Sequence, residues 1–287
     1  MRIEEHDIDA AGVSVHTRQW EPDGPARAVV CLVHGLGEHS GRYGHVAARL
    51  TEAGYAVSSF DLRGHGASGG RRGDMRFAET FGDIDRLLAG AAARWPGRPL
   101  FLYGHSLGGL LVIAYALARR PAVAGVVASG PALRTPLREQ KVKVALVRLL
   151  APLLPRLALP SGLDDRGISR DPAVVAAYRA DPLVHGQASL GFARDAMDAA
   201  DAALAGAAQF PVPLLLLHGG ADSLTDPGGS RAFAAALGPA CTLTVYDGLF
   251  HEIHNEPEQS RVLDDVLAWL DRETAAAGPD GGSAHQS

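Results

Sequence analysis

Gly104, Ser106 and Gly108 form a G-x-S-x-G pattern inside FLYGHSLGGLLVIAYALAR, residues 101–119. A serine between glycines, at the junction of a short apolar run and a long apolar helix, suits attack on an acyl carbon. The glycines let strand and helix approach without Cβ clashes, while the serine is forced into strained backbone that pushes its hydroxyl out of the sheet. A serine hydroxyl is a poor nucleophile at pH 7, so a histidine must accept its proton and a carboxylate must fix that histidine's tautomer. In open α/β sheets such groups lie on loops at the carboxyl ends of strands. After the apolar run Leu214–Leu217 comes HGGAD, which places Asp222 close behind the strand; Asp226, before Pro227, serves equally well as a helix cap. After Thr242–Tyr246 comes DGLFHEIHNE, in which His251 lies nearer the strand end than His254, behind a Gly248 that permits a tight loop. Ser106, Asp222 and His251 are therefore the expected nucleophile, acid and base.

The negative oxygen of a tetrahedral intermediate needs two fixed donors, and backbone N–H groups meet that need without reorganisation. Leu107, next to the nucleophile at a helix N-terminus, supplies one. Leu36, in the His34-Gly35-Leu36-Gly37 loop after an apolar strand, supplies the other.

These loops need a sheet to carry them. Ile3–Trp20 reads as two strands joined at Ala11-Gly12, followed by strands at Ala28–Val33, Ala56–Asp61, Leu100–Tyr103, Val123–Ser129, Leu214–Leu217 and Thr242–Tyr246. Helices are expected over Tyr43–Ala53, Phe77–Trp95, Leu107–Leu117, Gly229–Leu237 and Glu258–Arg272. Alternating strands and helices imply parallel pairing with right-handed crossovers, and the Ser, acid, His order is that of the α/β-hydrolases. The fold class is therefore α/β: a mostly parallel, doubly wound sheet of the α/β-hydrolase type with a helical cap insertion. Residues 1–131 and 208–273 form the core, 132–207 carry no strand pattern and form the cap, and 274–287 read as a disordered tail.

Composition narrows the partners. A net charge of −5 and a pI near 6.2 give no basic face for nucleic acid. Cys31 and Cys241 sit in strand-like runs and read as buried small hydrophobes, not a disulfide or a metal pair. The charged start MRIEEHDID and the absence of any 18-residue apolar run lead us to expect a soluble, cytoplasmic protein.

Six stretches together resemble the monoacylglycerol lipase family of serine hydrolases: HGLGEHSGRY (34–43), DLRGHGASGG (61–70), GHSLGG (104–109), SRDPAVVAAYRADPLVH (169–185), HGGADSLTD (218–226) and HEIHNE (251–256). The resemblance implies hydrolysis of long-chain monoacylglycerols to fatty acid and glycerol, with neither cofactor nor metal. It matches Ser106, Asp222 and His251 to the family's triad and Leu36 and Leu107 to its oxyanion hole, although many relatives carry Met where Leu107 stands. It also implies a polar glycerol pocket at Glu38, Arg42 and His254, with Tyr178 as a neighbour. Glu38 and Arg42 admit a second role, an ion pair supporting the oxyanion loop. Within the same chemistry a lysophospholipase or a broad carboxylesterase is the alternative; a non-catalytic ligand-binding protein on this scaffold is the alternative of another class.

Between Leu137 and Leu159, Val142, Leu146, Leu149, Leu150 and Leu153 recur at near-helical spacing beside Arg134, Arg138, Lys141, Lys143, Arg148 and Arg156, with Glu139 the single acid. An ordinary packed helix with a solvated basic edge accounts for this pattern, and so does a mouth that docks on an anionic lipid or micelle surface. The expected partner is a small lipid, with peripheral membrane contact through the cap.

Overall fold

The computed structural model describes residues 1–278. Eight strands form one sheet in the order β1-β2-β4-β3-β5-β6-β9-β10. Two antiparallel strands, β1 (Arg2–Asp9) and β2 (Ser14–Glu21), make its edge, and β2 pairs antiparallel with β4 (Tyr55–Phe60). From β4 onward all neighbours are parallel: β3 (Ala28–Val33), β5 (Leu100–His105), β6 (Gly125–Ser129), β9 (Leu214–Gly219) and β10 (Cys241–Tyr246).

Apolar residues fill both faces of the sheet, as a doubly wound fold requires. Along β3, Val29, Cys31 and Val33 enter a core beneath helices α2 (Phe77–Arg94), α3 (Leu107–Arg119) and α7 (Pro227–Leu237). Ala28, Val30 and Leu32 point the other way, against α1 (Gly44–Glu52) and α8 (Gln259–Ala277). Cys31 and Cys241 are free. Three strands lie between β3 and β10 in the sheet, far more than a disulfide spans.

The register decides what meets at the sheet's carboxyl edge. Val33 lies opposite Gly104, His105 opposite Ser129, and Ser129 opposite Leu217. The loops that follow β3, β5, β6 and β9 therefore leave the sheet side by side.

Element boundaries differ from expectation where local chemistry intervenes. Helix α7 starts two residues earlier than glycine content suggested, because Asp226 caps it by accepting the Gly228 N–H at 2.7 Å, with Pro227 in the first turn. Thr274–Ala277, expected in a disordered tail, are the last turn of α8, and residues 279–287 of that tail lie outside the described residues. Between β6 and β9 the chain forms α4 (Lys141–Leu150), α5 (Pro172–Ala180) and α6 (Leu190–Gly206). It also forms a small antiparallel ladder of β7 (Ala158–Pro160) and β8 (Gln187–Ser189), where no strand was expected. Three-residue strands are too short to show a period of two.

Helix α4 buries none of its residues. Val142 and Leu153 are 74 % exposed and Leu149 67 %; Leu154 is exposed as well, and so are Leu146, Leu157, Leu159 and Leu163, which also line a cavity. Among the described residues no helix is long and apolar enough to cross a membrane.

Candidate active site

Ser106 sits between β5 and α3 at φ 55° and ψ −115°, a conformation that costs a non-glycine residue about 1–3 kcal/mol. Its backbone is pinned from both directions: its N–H donates to Ser129 O at 2.8 Å, and its carbonyl accepts from Ala132 N at 3.0 Å. The flanking glycines are obligatory. A Cβ on Gly104 would lie 2.2 Å from Gly108 O, and one on Gly108 would lie 2.0 Å from Val33 O.

His251 follows β10 and is 5 % exposed. Its Nε2 lies 2.8 Å from Ser106 Oγ and its Nδ1 lies 2.6 Å from Asp222 Oδ2. The carboxylate accepts a proton donor at Nδ1, which leaves Nε2 bare and able to take the serine proton. Asp222 Oδ1 is held by the N–H groups of Leu224 and Thr225 at 2.8 and 2.9 Å. Three side chains spread over 145 positions of sequence thus form one directed chain.

Electrostatics keep the pair poised. Burial pushes the Asp222 carboxyl up, but the adjacent His251 and the hydrogen bonds it accepts outweigh burial and hold it far below the usual carboxylate range. Burial alone would lower His251, yet the Asp222 carboxylate raises it above the ordinary histidine value. His105, whose ring centre lies 4.7 Å from that of His251, is depressed to about 3 by burial and by His251 itself, so it stays neutral and adds no charge.

Ser106 opens on a cavity of about 1090 Å³ whose wall includes Leu36, Leu107, Glu38 and Tyr178. A Cβ on Gly35 would be 3.3 Å from Ser106 Cβ, so the loop bearing Leu36 rests against the nucleophile. Much of its wall is apolar, including Leu110 of α3, Leu146 and Leu150 of α4, and Leu190, Phe192 and Met197 of α6.

Two residues expected on the glycerol pocket stand behind its wall: neither Arg42 nor His254 lines the cavity. His254 is 1 % exposed, stacked on Tyr43 with ring centres 5.0 Å apart and packed edge-on against His105. It lies on a 3-10 turn, Ile253–Asn255, that rotates its ring inward. Arg42 is consumed by carboxylates: Nη1 bonds Glu38 at 2.6 Å and Glu252 at 2.7 Å, and Nη2 bonds Glu252 again at 2.7 Å. The Tyr178 ring covers the guanidinium at 4.7 Å. Glu38 spends its other oxygen on Gly35 N and Tyr43 Oη, both at 2.6 Å. These contacts suit the support of the oxyanion loop better than the binding of an alcohol.

The family model described as serine aminopeptidase, S33, matches residues 24–258. A monoacylglycerol lipase of Mycolicibacterium smegmatis is 41 % identical over 272 residues, covering 94 % of this chain and 97 % of the relative. The chain belongs to the monoacylglycerol lipase family. Human monoglyceride lipase is 33 % identical over 279 residues, 95 % of this chain and 92 % of the human one. The crystal structure of Paleococcus ferrophilus monoacylglycerol lipase superposes with a TM-score of 0.84 at 39 % identity, covering 90 % of this chain and 99 % of that one.

Within this family member, the residue that spacing could not reveal is Glu252. It lies 210 positions from Arg42 and is recognisable only as the neighbour of His251. Arg42 thereby joins the oxyanion loop to the histidine loop. The segment after β6 fastens both loops as well: His251 N bonds Gly167 O at 3.3 Å, Glu252 N bonds Ile168 O at 2.7 Å, and His185 N bonds Gly37 O at 2.8 Å. His39 Nε2 meets Asp181 at 2.8 Å across the same seam.

Proposed function

We infer that this chain is a serine lipase that hydrolyses monoacylglycerols to fatty acid and glycerol through an acyl-enzyme. The reading rests on one observation above all, the hydrogen-bonded chain Ser106–His251–Asp222 facing a cavity with a largely apolar wall. In this reading Ser106 Oγ attacks the ester carbonyl as His251 Nε2 takes its proton. The oxyanion rests on the N–H groups of Leu36 and Leu107, the leaving glycerol takes the proton back, and water repeats the sequence on the acyl-serine. The apolar wall takes the acyl chain, each buried methylene contributing about 0.8 kcal/mol. Residues 132–207 act as the cap, supplying Leu146, Leu150, Leu190, Phe192 and Met197 to that wall. A peptidase binding a charged N-terminal amine would use an unpaired carboxylate, whereas Glu38 and Glu252 are both committed to Arg42.

Two measurements test the reading. A fluorophosphonate probe should label the wild type and not Ser106→Ala, and monoolein should be turned over faster than diolein, triolein or lysophosphatidylcholine. Absence of labelling overturns the catalytic reading; a dominant rate on lysophosphatidylcholine replaces the lipase with a lysophospholipase.

The exposed apolar face of α4 supports docking of the cap on a lipid surface, as a peripheral contact. Arg138 pairs with Asp201, and Arg148 stands 3.7 Å from the same carboxylate. Lys141 and Lys143 are exposed and make no ion pair among the described residues. Because each cation near an anionic membrane is worth about 1 kcal/mol, reversing both lysines to Glu should weaken co-sedimentation with phosphatidylserine vesicles by more than about tenfold. Unchanged co-sedimentation would sink the docking idea and leave the hydrolysis untouched.

A further inference from the structure

His251 is not alone in meeting the carboxylate of Asp222. Thr225 Oγ1 lies 2.8 Å from the same oxygen that His251 meets, Asp222 Oδ2, and 3.3 Å from His251 Nδ1, and His218 Nε2 lies 3.1 Å from that same hydroxyl. His218 Nδ1 in turn lies 2.8 Å from Ser230 Oγ. All three residues are buried: His218 and Ser230 are fully enclosed and Thr225 is 3 % exposed.

The proton positions follow from what each atom faces. His218 Nε2 is 3.3 Å from Thr225 O and 3.3 Å from Asp222 Oδ2, two oxygens that carry no hydrogen. Nε2 must therefore carry the proton, and Nδ1, left bare, accepts from Ser230. Thr225 has one proton to give, with Gly130 O at 3.1 Å and the carboxylate at 2.8 Å in reach. The charged acceptor is nearer and stronger, so the hydroxyl donates to Asp222. Donors thus run Ser230 to His218 to Thr225 to Asp222, and from the opposite end Ser106 to His251 to Asp222.

We propose that Thr225, with His218 behind it, is a positioning pair for the acid of the triad: it holds the carboxylate's rotation and draws negative charge away from His251, so setting the pH at which His251 becomes the free base. The proposal rests on the catalytic reading of Ser106, His251 and Asp222. Losing the Thr225 proton leaves Oδ2 with His251 as its close donor, which makes the carboxylate more basic and stabilises the imidazolium. The remaining titratable groups facing His251 are Glu252 beside it, Glu38 of the oxyanion loop, the neutral His105 at the end of β5 and His254, which burial also keeps neutral; none of them is altered. Geometry survives the change, since Oδ1 keeps its two backbone donors.

The test is the pH dependence of kcat/KM on p-nitrophenyl butyrate, normalised to sites titrated with fluorophosphonate. Thr225→Val matches threonine in shape and should move the acidic limb upward by about 0.5–1 pH unit. Thr225→Ser should return it to the wild-type position. His218→Leu should move the limb in the same direction and His218→Gln, which keeps an N–H donor, should reverse the move. If Thr225→Val gives no titratable protein, the two His218 variants decide by the same criterion. A limb that stays put in Thr225→Val and His218→Leu, or that moves equally in Thr225→Ser, overturns the proposal. Failure of the catalytic reading is distinguishable, because then the wild type itself is not labelled.

Discussion

Asp222→Asn should lower kcat by about 10⁴ without unfolding the protein. The reason lies in which atoms surround the carboxylate. Oδ1 accepts two backbone N–H groups, from Leu224 and Thr225. An amide NH₂ cannot face two donors, so the asparagine oxygen must take that side and its nitrogen must point at His251 Nδ1, which is 2.6 Å away from the present oxygen. Nδ1 then has to accept, and the ring proton moves to Nε2, opposite Ser106 Oγ at 2.8 Å. A protonated Nε2 cannot take the serine proton. Residual turnover should come from the oxyanion donors alone, measured as kcat on p-nitrophenyl butyrate alongside an unchanged thermal transition. Activity above about one-hundredth of wild type would show that Asp222 does not set the tautomer.

The second large effect falls on stability and activity together. Arg42→Met removes the one cation shared by Glu38 and Glu252, whose side chains are 2 % and 4 % exposed. Breaking a buried pair by deleting one partner costs about 3–5 kcal/mol, because the surviving carboxylates are left uncompensated. Burial pushes the Glu38 carboxyl up, but Arg42, His34 and the hydrogen bonds from Tyr43 and Gly35 together hold it below its ordinary value; removing Arg42 takes away the largest of these opposing causes and moves that carboxyl up. A group whose folded pKa is depressed contributes stability above its unfolded pKa, so this contribution is present at neutral pH and is lost on mutation. Tm should fall by roughly 10 °C. Because Glu38 also fixes Gly35 N and Tyr43, the oxyanion loop loosens with it, and hydrolysis of p-nitrophenyl butyrate should drop in proportion to that of monoolein. If instead KM rises for monoolein alone, with Tm and the soluble ester unaffected, Arg42 binds glycerol and the clamp reading is wrong.

These two residues illustrate how differently parts of the site were legible. The loops bearing Ser106, Asp222 and His251 announce themselves through short-range signals: glycines that relieve backbone crowding, apolar runs that stop abruptly, polar residues close behind them. Spacing favours Asp222 over Asp226 as the acid because Asp226 stands where a helix cap would, and its bond to Gly228 N makes it that cap. The family resemblance implies Arg42 and His254 as part of the polar pocket, but motif position does not say which way a side chain turns. The 3-10 turn at Ile253–Asn255 and the carboxylate of Glu252 send both inward.

Covalent order specifies every feature whose cause spans a few residues: strand and helix alternation, the strained serine between glycines, the order of nucleophile, acid and base. Partnership among groups that meet only after the sheet is assembled obeys a different cause. Burial makes unpaired charge and unpaired donors costly, so Glu252 must find Arg42, 210 positions away, and His251 must find Ser106, 145 positions away. Those matches depend on strand register and packing, quantities that no local pattern encodes.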